Sequence, residues 1–289
     1  MTSRLSSHSP GLRTSLLLTC CGEYNGNGQG TGGLVCIHDG EAMVVDRLDS
    51  TGLCWDGGWI LRFVRAEGQV WGYAADGRVV FRLALPDVKN GHDVRLVDGQ
   101  LVVMSTGENQ VHWYDLAGRL VTFWQAPGEG DAWHLNCLHK VGKALYASAF
   151  GMFQNHRDWH DRGQMSGFVF NLATEDRVLG SLWHPHSPRK FDGRWMACES
   201  GTGSLVVKEK VSRRVRRVAL EGYPRGMDAH GDYLYVGEST HRGEDHGGSV
   251  AVLNRWSLEV VDRLAIPLPE VYEVLAVPDS FARALMKGA

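Results

Sequence analysis

Three histidines occupy equivalent places in a repeated pattern, each at the start of a short apolar segment. His92, His134 and His186 each lie seven or eight residues before a turn glycine. Neutral imidazole nitrogens and carboxylate oxygens suit Fe, Zn, Mn or Ni. If the fold brings these positions together, we expect His92, His134 and His186 to hold a divalent transition metal, with Glu273 as a candidate fourth ligand.

The same histidines have two other interpretations. They could hydrogen-bond to water and to neighbouring backbone in a wet, polar channel, or they could act as acids or bases in a pocket for an organic ligand. Glu273 and Asp228 are the candidate catalytic carboxylates, as metal ligand or general base. The residue types alone leave these alternatives open.

Two arginines lie near the predicted histidine cluster in the repeated pattern. Arg189 and Arg225 would be costly to bury without a negative partner, whereas a carboxylate or phosphate would accept their forked donors. We therefore expect them to bind the anionic group of a small polar substrate. The competing interpretation pairs Arg189 or Arg225 with Asp93, Asp228 or Glu273 in structural salt bridges. Further candidate substrate-binding residues are Asp93, Asn136, Ser187 and Tyr272.

Regular turns give the element pattern that must position these side chains. Five glycines, each in a turn between two short apolar strands, are spaced 42, 43, 51 and 38 residues apart; they are Gly57, Gly99, Gly142, Gly193 and Gly231. Periods near 40 residues are typical of propeller blades with four strands each. Each blade contributes its innermost strand to a central channel, which would bring distant histidines onto one axis.

The remaining strands predict how the ring closes. Three apolar segments near the N-terminus and one near the C-terminus, EVYEVLAVPD, are left after five blades are assigned. Combining them removes the exposed sheet edges, so we predict an all-β, six-bladed propeller whose closing blade joins both chain ends. We expect a disordered tail over 1–13, one propeller domain over 14–280 and a short C-terminal helix or tail over 281–289.

Long loops mark the histidine end of the predicted ring. Segments 150–166 and 239–248 and the glycine-rich GEYNGNGQGTG connect strands at the end where the inner strands begin. Long loops in compact domains are often lids or binding loops. We expect Tyr24, Trp159 and His160 to face the substrate. His156 and His160 have the i, i+4 spacing of a helical metal motif but lack the HExxH glutamate.

Composition narrows the classes of partner. A net charge of −3 gives no electrostatic case for nucleic acid, and no segment is long and apolar enough to span a membrane. Six scattered cysteines without a CxxC pair fit a reducing compartment, so we expect a cytoplasmic protein. The sequence has no GxSxG elbow, no Walker lysine loop and no cysteine suited to nucleophilic catalysis.

An ordered set of short motifs across residues 50–278 resembles a bacterial six-bladed propeller family of unknown function. The motifs are GHDVRLVDG, WHLNCL, HPHSPRKFDGRWMACESGTGSL, YPRGMDAHGDYLYVGES and EVYEVLAV. The resemblance implies the propeller and a polar centre, and it implies no reaction. The chain departs from the family in its histidine-rich third-blade loop and in the VYEV sequence. A remoter likeness links it to gluconolactonase- and paraoxonase-type propellers, whose metal sites are mostly Asp, Asn and Glu.

The sequence thus predicts a metal-dependent enzyme acting on a small polar or anionic metabolite, of the hydrolase, lyase or oxidase class. One alternative is a non-catalytic propeller that binds a glycan, peptide or protein. The other is a metal-free isomerase or lyase that uses a His and Glu pair as acid and base.

Overall fold

The computed structural model describes residues 13–22, 31–240 and 247–288 and shows six four-stranded antiparallel sheets, the blades of a β-propeller. The predicted fold class and blade number are confirmed. The N-terminal strands and the last strand share one sheet in the order β24-β1-β2-β3, so the predicted closing blade is also confirmed.

The strands are numbered in chain order. The first seven are β1 (Leu16–Cys20), β2 (Gly33–His38), β3 (Glu41–Asp46), β4 (Ser50–Asp56), β5 (Trp59–Val64), β6 (Gln69–Tyr73) and β7 (Val79–Ala84). The next eight are β8 (Gly91–Val97), β9 (Gln100–Ser105), β10 (Gln110–Tyr114), β11 (Leu120–Gln125), β12 (Leu138–Val141), β13 (Ala144–Ala149), β14 (Gly167–Asn171) and β15 (Arg177–Leu182).

The remaining strands complete two blades and the closing blade. They are β16 (Pro185–Phe191), β17 (Arg194–Glu199), β18 (Ser204–Lys208), β19 (Val215–Ala219), β20 (Tyr223–His230), β21 (Tyr233–Ser239), β22 (Ser249–Asn254), β23 (Val260–Ala265) and β24 (Val271–Ala276). Two helices are described, α1 (Trp159–Arg162) in the loop between β13 and β14 and α2 (Asp279–Gly288) after β24. None of the described helices has the length and apolar composition needed to cross a membrane.

The chain forms two compact units. Unit 1 comprises residues 1–66, 71–82 and 220–289 and carries the closing blade and the blade β20 to β23, together with most of the blade β4 to β7. Unit 2 comprises residues 67–70 and 83–219 and carries the three blades from β8 to β19. Unit 2 contains all three histidines of the predicted cluster.

Hairpin turns in unit 2 show why Asp-Gly pairs separate the first two strands of a blade. Asp98 and Gly99 have φ values of 48° and 80°, and Asp192 and Gly193 have 53° and 79°. Two consecutive positive φ angles define the tight turn whose twist matches antiparallel strands, and Asp-Gly tolerates it well. These turns align the starts of β8 and β16, which carry His92 and His186.

Each unit has its own apolar core made by alternating strand residues. In unit 2, buried side chains from adjacent blades pack together, including Val102, Trp133, Phe168 and Phe170. In unit 1, Leu18, Val35, Tyr235 and Val274 belong to a comparable cluster. Alternation sends one side chain into this core and the next toward the opposite face, so polar residues on inner strands are placed with little freedom.

Candidate functional site

The starts of the three inner strands of unit 2 carry the predicted histidines. His92 and His186 are the second residues of β8 and β16, and both are buried, with 7% and 4% exposed surface. His134 lies before β12, in an irregular segment, and its φ of 48° is in the left-handed region. The inner strand β12 contacts both β8 and β16, which brings the three positions to the same end of unit 2.

His134 forms a close pair with Asp131. Both carboxylate oxygens of Asp131 lie 3.0 Å from Nδ1 of His134. Because an ionised carboxylate only accepts hydrogen bonds, Nδ1 carries the proton and Nε2 of the neutral ring carries the lone pair. Within residues 13–22, 31–240 and 247–288 no protein group bonds to Nε2 of His134, and the side chain keeps 12% of its surface exposed. This nitrogen is therefore open to a ligand.

Aromatic rings hold the imidazole of His134 in place. Its ring centroid lies 4.2 Å from that of Phe150 and 4.3 Å from that of Trp159, with interplanar angles of 40° and 44°. The His92 ring meets it edge-on at 5.3 Å. Nδ1 of His92 donates to the carbonyl of Asn90 at 2.7 Å, so Nε2 carries the lone pair of this imidazole too.

His186 contacts the same phenylalanine ring as His134. The His186 ring lies 5.2 Å from Phe150, and its Nδ1 lies 3.1 Å from the carbonyl of His184 and 2.8 Å from the hydroxyl of Ser200. The His184 ring stacks on Phe150 at 4.3 Å and 17°. The structure therefore brings His92 and His134 into direct ring contact, and His134 and His186 both contact the ring of Phe150.

The three histidines do not assemble a metal centre in this arrangement. In the described part of the chain, no group of three or more His, Cys, Asp or Glu side chains is placed to hold a metal ion. Calcium would require oxygen ligands, but the Asp131 carboxylate already accepts the proton of His134. We therefore derive no step through a metal. The ligand role of His92, His134 and His186 stays a prediction.

The predicted catalytic and binding carboxylates bond to the backbone of neighbouring inner strands. Asp93 accepts the N–H of Leu138 at 2.7 Å, and Asp228 accepts that of Ala276 at 2.9 Å. Glu273 accepts the N–H of Met227 at 3.1 Å. Each also accepts the amide of its own following residue. The inner strand of a blade pairs with another strand along only one of its edges. These carboxylates accept hydrogen bonds from the backbone amides along the other edge.

The two predicted anion-binding arginines have protein partners. Nη1 of Arg225 donates to Glu270 at 2.9 Å and to the thiol of Cys21 at 3.3 Å, and its guanidinium lies 4.6 Å from the centre of the Tyr223 ring. Arg189 is buried and donates to the carbonyl of Pro188 at 3.0 Å. Arg225 thus resembles the salt-bridge alternative of the sequence analysis, with Glu270 as the carboxylate.

The other predicted binding residues have diverse environments. Asn136 and Ser187 are fully buried, and Asn136 accepts from Ser148 at 2.6 Å and donates to the His134 carbonyl at 3.1 Å. Tyr272 is buried within β24. His160 is exposed and its ring forms a hydrogen bond with the adjacent Asp161. Tyr24 lies outside the described residues. The binding roles of all these residues stay predictions.

A histidine on β12 provides a contrast with His134. Burial and the nearby cations Arg189, Arg95 and Lys190 lower the pKa of His139 to about 2. Nε2 of this neutral ring accepts the backbone N–H of Lys190 at 3.0 Å. His139 thus fills the same strand-edge role as the buried carboxylates.

Sequence reasoning missed the residues that shape the environment of His134. Asp131 and Phe150 have no role in the sequence analysis, and His156 appears there only as part of a metal motif. Asp131 is three residues before His134, a spacing visible in the sequence. The contacts of Phe150 and His156 come from a long loop whose path no period predicts.

Comparison with protein families decides the family. Residues 82–279 match the family model described as "Domain of unknown function (DUF4915)". The chain belongs to this family. The suspected membership of an uncharacterised propeller family is therefore confirmed. A comparison with curated proteins finds no significant sequence match.

Solved structures share the fold at low sequence identity. A protein of unknown function from Bacteroides caccae is 13% identical with a TM-score of 0.64, covering 92% of this chain and 99% of that one. Regucalcin from Agrobacterium tumefaciens, described as a calcium-binding protein, is 15% identical with a TM-score of 0.55, covering 77% and 76%. A luciferin-regenerating enzyme is 14% identical with a TM-score of 0.57, covering 76% and 77%. The likeness shows the propeller fold, which these proteins use for different purposes.

Proposed function

We propose that the protein is an enzyme that uses Nε2 of His134 as a general base and acid on a small polar or anionic metabolite. The observation that supports this proposal is the asymmetry of the His134 ring. Nδ1 is fixed by both oxygens of Asp131, while Nε2 has no hydrogen-bond partner among the described residues. A catalytic imidazole needs this arrangement, with one nitrogen oriented and the other open.

The first chemical step is a proton transfer to His134. A substrate hydroxyl, a water molecule or an acidic C–H gives its proton to Nε2, and the electron pair of the broken bond stays on the substrate oxygen or carbon. The imidazolium that forms keeps its hydrogen bond to Asp131, whose negative charge stabilises it. The same proton then returns from Nε2 to the leaving or product atom.

His92 is the second acid or base in this proposal. Its ring edge lies against the His134 ring, and the Asn90 carbonyl fixes its tautomer. Phe150 and Trp159 restrict the rotation of the His134 ring, so Nε2 keeps one direction. Two oriented imidazoles suit an isomerase, a lyase or a hydrolase, because all three begin with the same proton transfer.

Metal dependence is the second candidate, and one observation favours it. Nδ1 of each of His92, His134 and His186 lies within hydrogen-bond distance of an oxygen atom. Metal-ligating histidines characteristically have such an anchored second nitrogen. A bound ion would supply Lewis-acid chemistry, while His134 and Asp131 would keep their present contact.

A turnover screen with a matched variant tests the proposal. Wild-type protein is incubated with a library of small carboxylates, lactones and sugar phosphates, and consumption is followed by mass spectrometry with and without a chelator. We expect a substrate whose turnover falls by about 10²- to 10⁴-fold in His134→Gln. His230→Gln is the control, because His230 is an exposed histidine at the end of β20 in unit 1.

The outcomes separate the candidates. Turnover that His134→Gln leaves unchanged would overturn the proposed role of His134. Turnover lost in chelator and restored by one metal ion would favour the metal-dependent candidate. Tight binding of a library member without any chemical change would instead support a binding propeller.

A further inference from the structure

The loop between β13 and β14 docks against the segment that carries Asp131. The amide of Glu129 donates to the carbonyl of Gln154 at 2.8 Å, and the amide of Arg157 donates to the carbonyl of Asp131 at 3.1 Å. Nε1 of Trp159 donates to the same carbonyl at 3.0 Å. The two segments therefore form a continuous set of hydrogen bonds along residues 129–131.

The side chain of His156, in the same loop, also bonds to the backbone of Asp131. The amide of Asp131 donates to Nδ1 of His156 at 3.1 Å. Nδ1 must carry a lone pair to accept this bond, so the proton of neutral His156 is on Nε2, the opposite tautomer to that of His134. The N–H and the carbonyl of Asp131 are both held by the docked loop, while its carboxylate holds His134.

Two glycines show that the backbone is adapted to this docking. A Cβ atom at Gly128 would lie 2.6 Å from the carbonyl oxygen of Phe153, and one at Gly130 would lie 2.7 Å from Nδ1 of His156. Both glycines have positive φ values, 99° and 53°, which side chains disfavour. Glycine at both positions lets the loop approach closely enough for His156 to reach the Asp131 amide.

We propose that His156 is a positioning residue for His134, acting through Asp131. The bond from the Asp131 amide fixes the backbone of Asp131, and the fixed backbone keeps both carboxylate oxygens on Nδ1 of His134. The open nitrogen of His134 therefore depends on a histidine that does not touch it. This inference rests on the proposed function for its catalytic meaning, while the positioning itself is measurable without a substrate.

The test compares His156→Ala with His156→Asn by nuclear magnetic resonance at fixed pH. His156→Ala removes the acceptor, whereas asparagine places its Oδ1 close to the position of Nδ1 and can accept the same bond. In His156→Ala we expect the Asp131 amide to exchange with solvent roughly fivefold to tenfold faster. The two ring ¹⁵N resonances of His134 should also move toward each other as its tautomers begin to mix. His156→Asn should restore both signals.

The control is His160→Ala, which removes an exposed histidine from the same loop without touching Asp131. Unchanged Asp131 exchange and unchanged His134 resonances in His156→Ala would overturn the positioning role, as would a failure of His156→Asn to restore them. His156 is exposed, so both variants should fold. Because these signals need no substrate, a failure of the proposed catalytic role of His134 would be seen separately, in the turnover screen.

Discussion

Arg62 in unit 1 and His134 in unit 2 are both hydrogen-bonded to an aspartate, but they differ in whether any side-chain nitrogen remains without a partner among the described residues. Arg62 is fully buried and its guanidinium donates to both oxygens of Asp46, at 2.6 and 2.7 Å. Its other donors go to Ser50, Tyr73 and the carbonyl of Leu48. All five N–H groups of Arg62 thus have an acceptor, whereas His134 keeps one nitrogen open.

The difference indicates which polar clusters stabilise the fold and which are available for chemistry. A buried charged group whose hydrogen-bonding atoms all have partners stabilises the fold. Removing one partner leaves an uncompensated buried charge. An imidazole with one oriented and one open nitrogen contributes little to packing through the open atom. The Arg225 and Glu270 pair of unit 1 follows the first pattern only in part: the two charges lie 2.9 Å apart, but Nε of Arg225 is buried and has no hydrogen-bond acceptor among the described residues.

The largest expected effect comes from changing the orienting aspartate. Asp131→Asn replaces an acceptor-only group with one that can also donate, so the tautomer of His134 is no longer fixed. We expect turnover to fall by about 10²- to 10⁴-fold with little change in the urea midpoint. Steady-state kinetics on the substrate from the turnover screen would measure this. Asp161→Asn, an exposed carboxylate on the docked loop, should keep the wild-type rate.

Replacing Asp46, the aspartate that pairs with Arg62 in unit 1, should lower stability rather than turnover. Asp46→Asn leaves the buried guanidinium of Arg62 without its counter-charge, and we expect a loss of about 3 kcal/mol in the free energy of unfolding. Turnover per folded molecule should not change. Urea denaturation followed by circular dichroism gives the measurement.

Asp76→Asn is the matched control for Asp46→Asn, because Asp76 pairs with Arg78 on the exposed surface of the same unit. We expect no measurable change in the control, since water screens exposed pairs. If Asp46→Asn were as stable as wild type, Arg62 would not be a structural charge.

A smaller effect, dependent on pH, is expected at Glu199 in unit 2. Burial alone would raise the pKa of this carboxyl, but hydrogen bonds from Arg217, Thr202 and the Trp183 amide outweigh burial and lower the pKa below its ordinary value of 4.5. A lowered folded-state pKa stabilises the fold above pH 4.5, and this contribution is lost as the pH falls through the folded value.

The free energy of unfolding should therefore fall less at acid pH in Glu199→Gln than in wild type. We expect the difference in free energy of unfolding between wild type and variant to shrink by about 1.5 kcal/mol from pH 7 to pH 3. Urea titrations across this range would measure it, with the exposed Glu175→Gln as control. A constant difference across the range would show that the charge of Glu199 is not what stabilises the fold.

The smallest effect is expected at His160, which the sequence analysis placed in the site. Its side chain is 70% exposed and forms a hydrogen bond with Asp161. His160→Ala should change the free energy of unfolding by less than about 0.5 kcal/mol and leave turnover unchanged. A large loss of turnover would instead support the predicted role of His160 in substrate binding.

The sequence predicted the fold because turn chemistry repeats. Turn glycines such as Gly99 occur 38 to 51 residues apart, and each lies between two short apolar segments. The closing blade followed from the need to pair the edge of β1, which bonds to β24. These features are local or topological, and no side-chain geometry is needed to recognise them.

The site was only partly predictable for a physical reason. His92, His134 and His186 were recognised from their register, but register alone does not show that Phe150 contacts both His134 and His186. The sequence analysis predicted catalytic or binding roles for the carboxylates of Asp93, Asp228 and Glu273. In the structure they accept hydrogen bonds from backbone amides of a neighbouring inner strand, and no sequence pattern marks those amides. The docking of His156 depends on a loop path that neither turn types nor alternation specify.

The pairing of β1 with β24 sets an order for assembly during synthesis. Unit 2 is nearly continuous in the chain, so its three blades can form as soon as residue 219 has emerged from the ribosome. The closing sheet must wait for residues 271–276, and until then the edge of β1 exposes backbone groups that can pair with other chains. The nascent protein therefore holds its candidate catalytic histidines in folded blades while its first strand still awaits a partner.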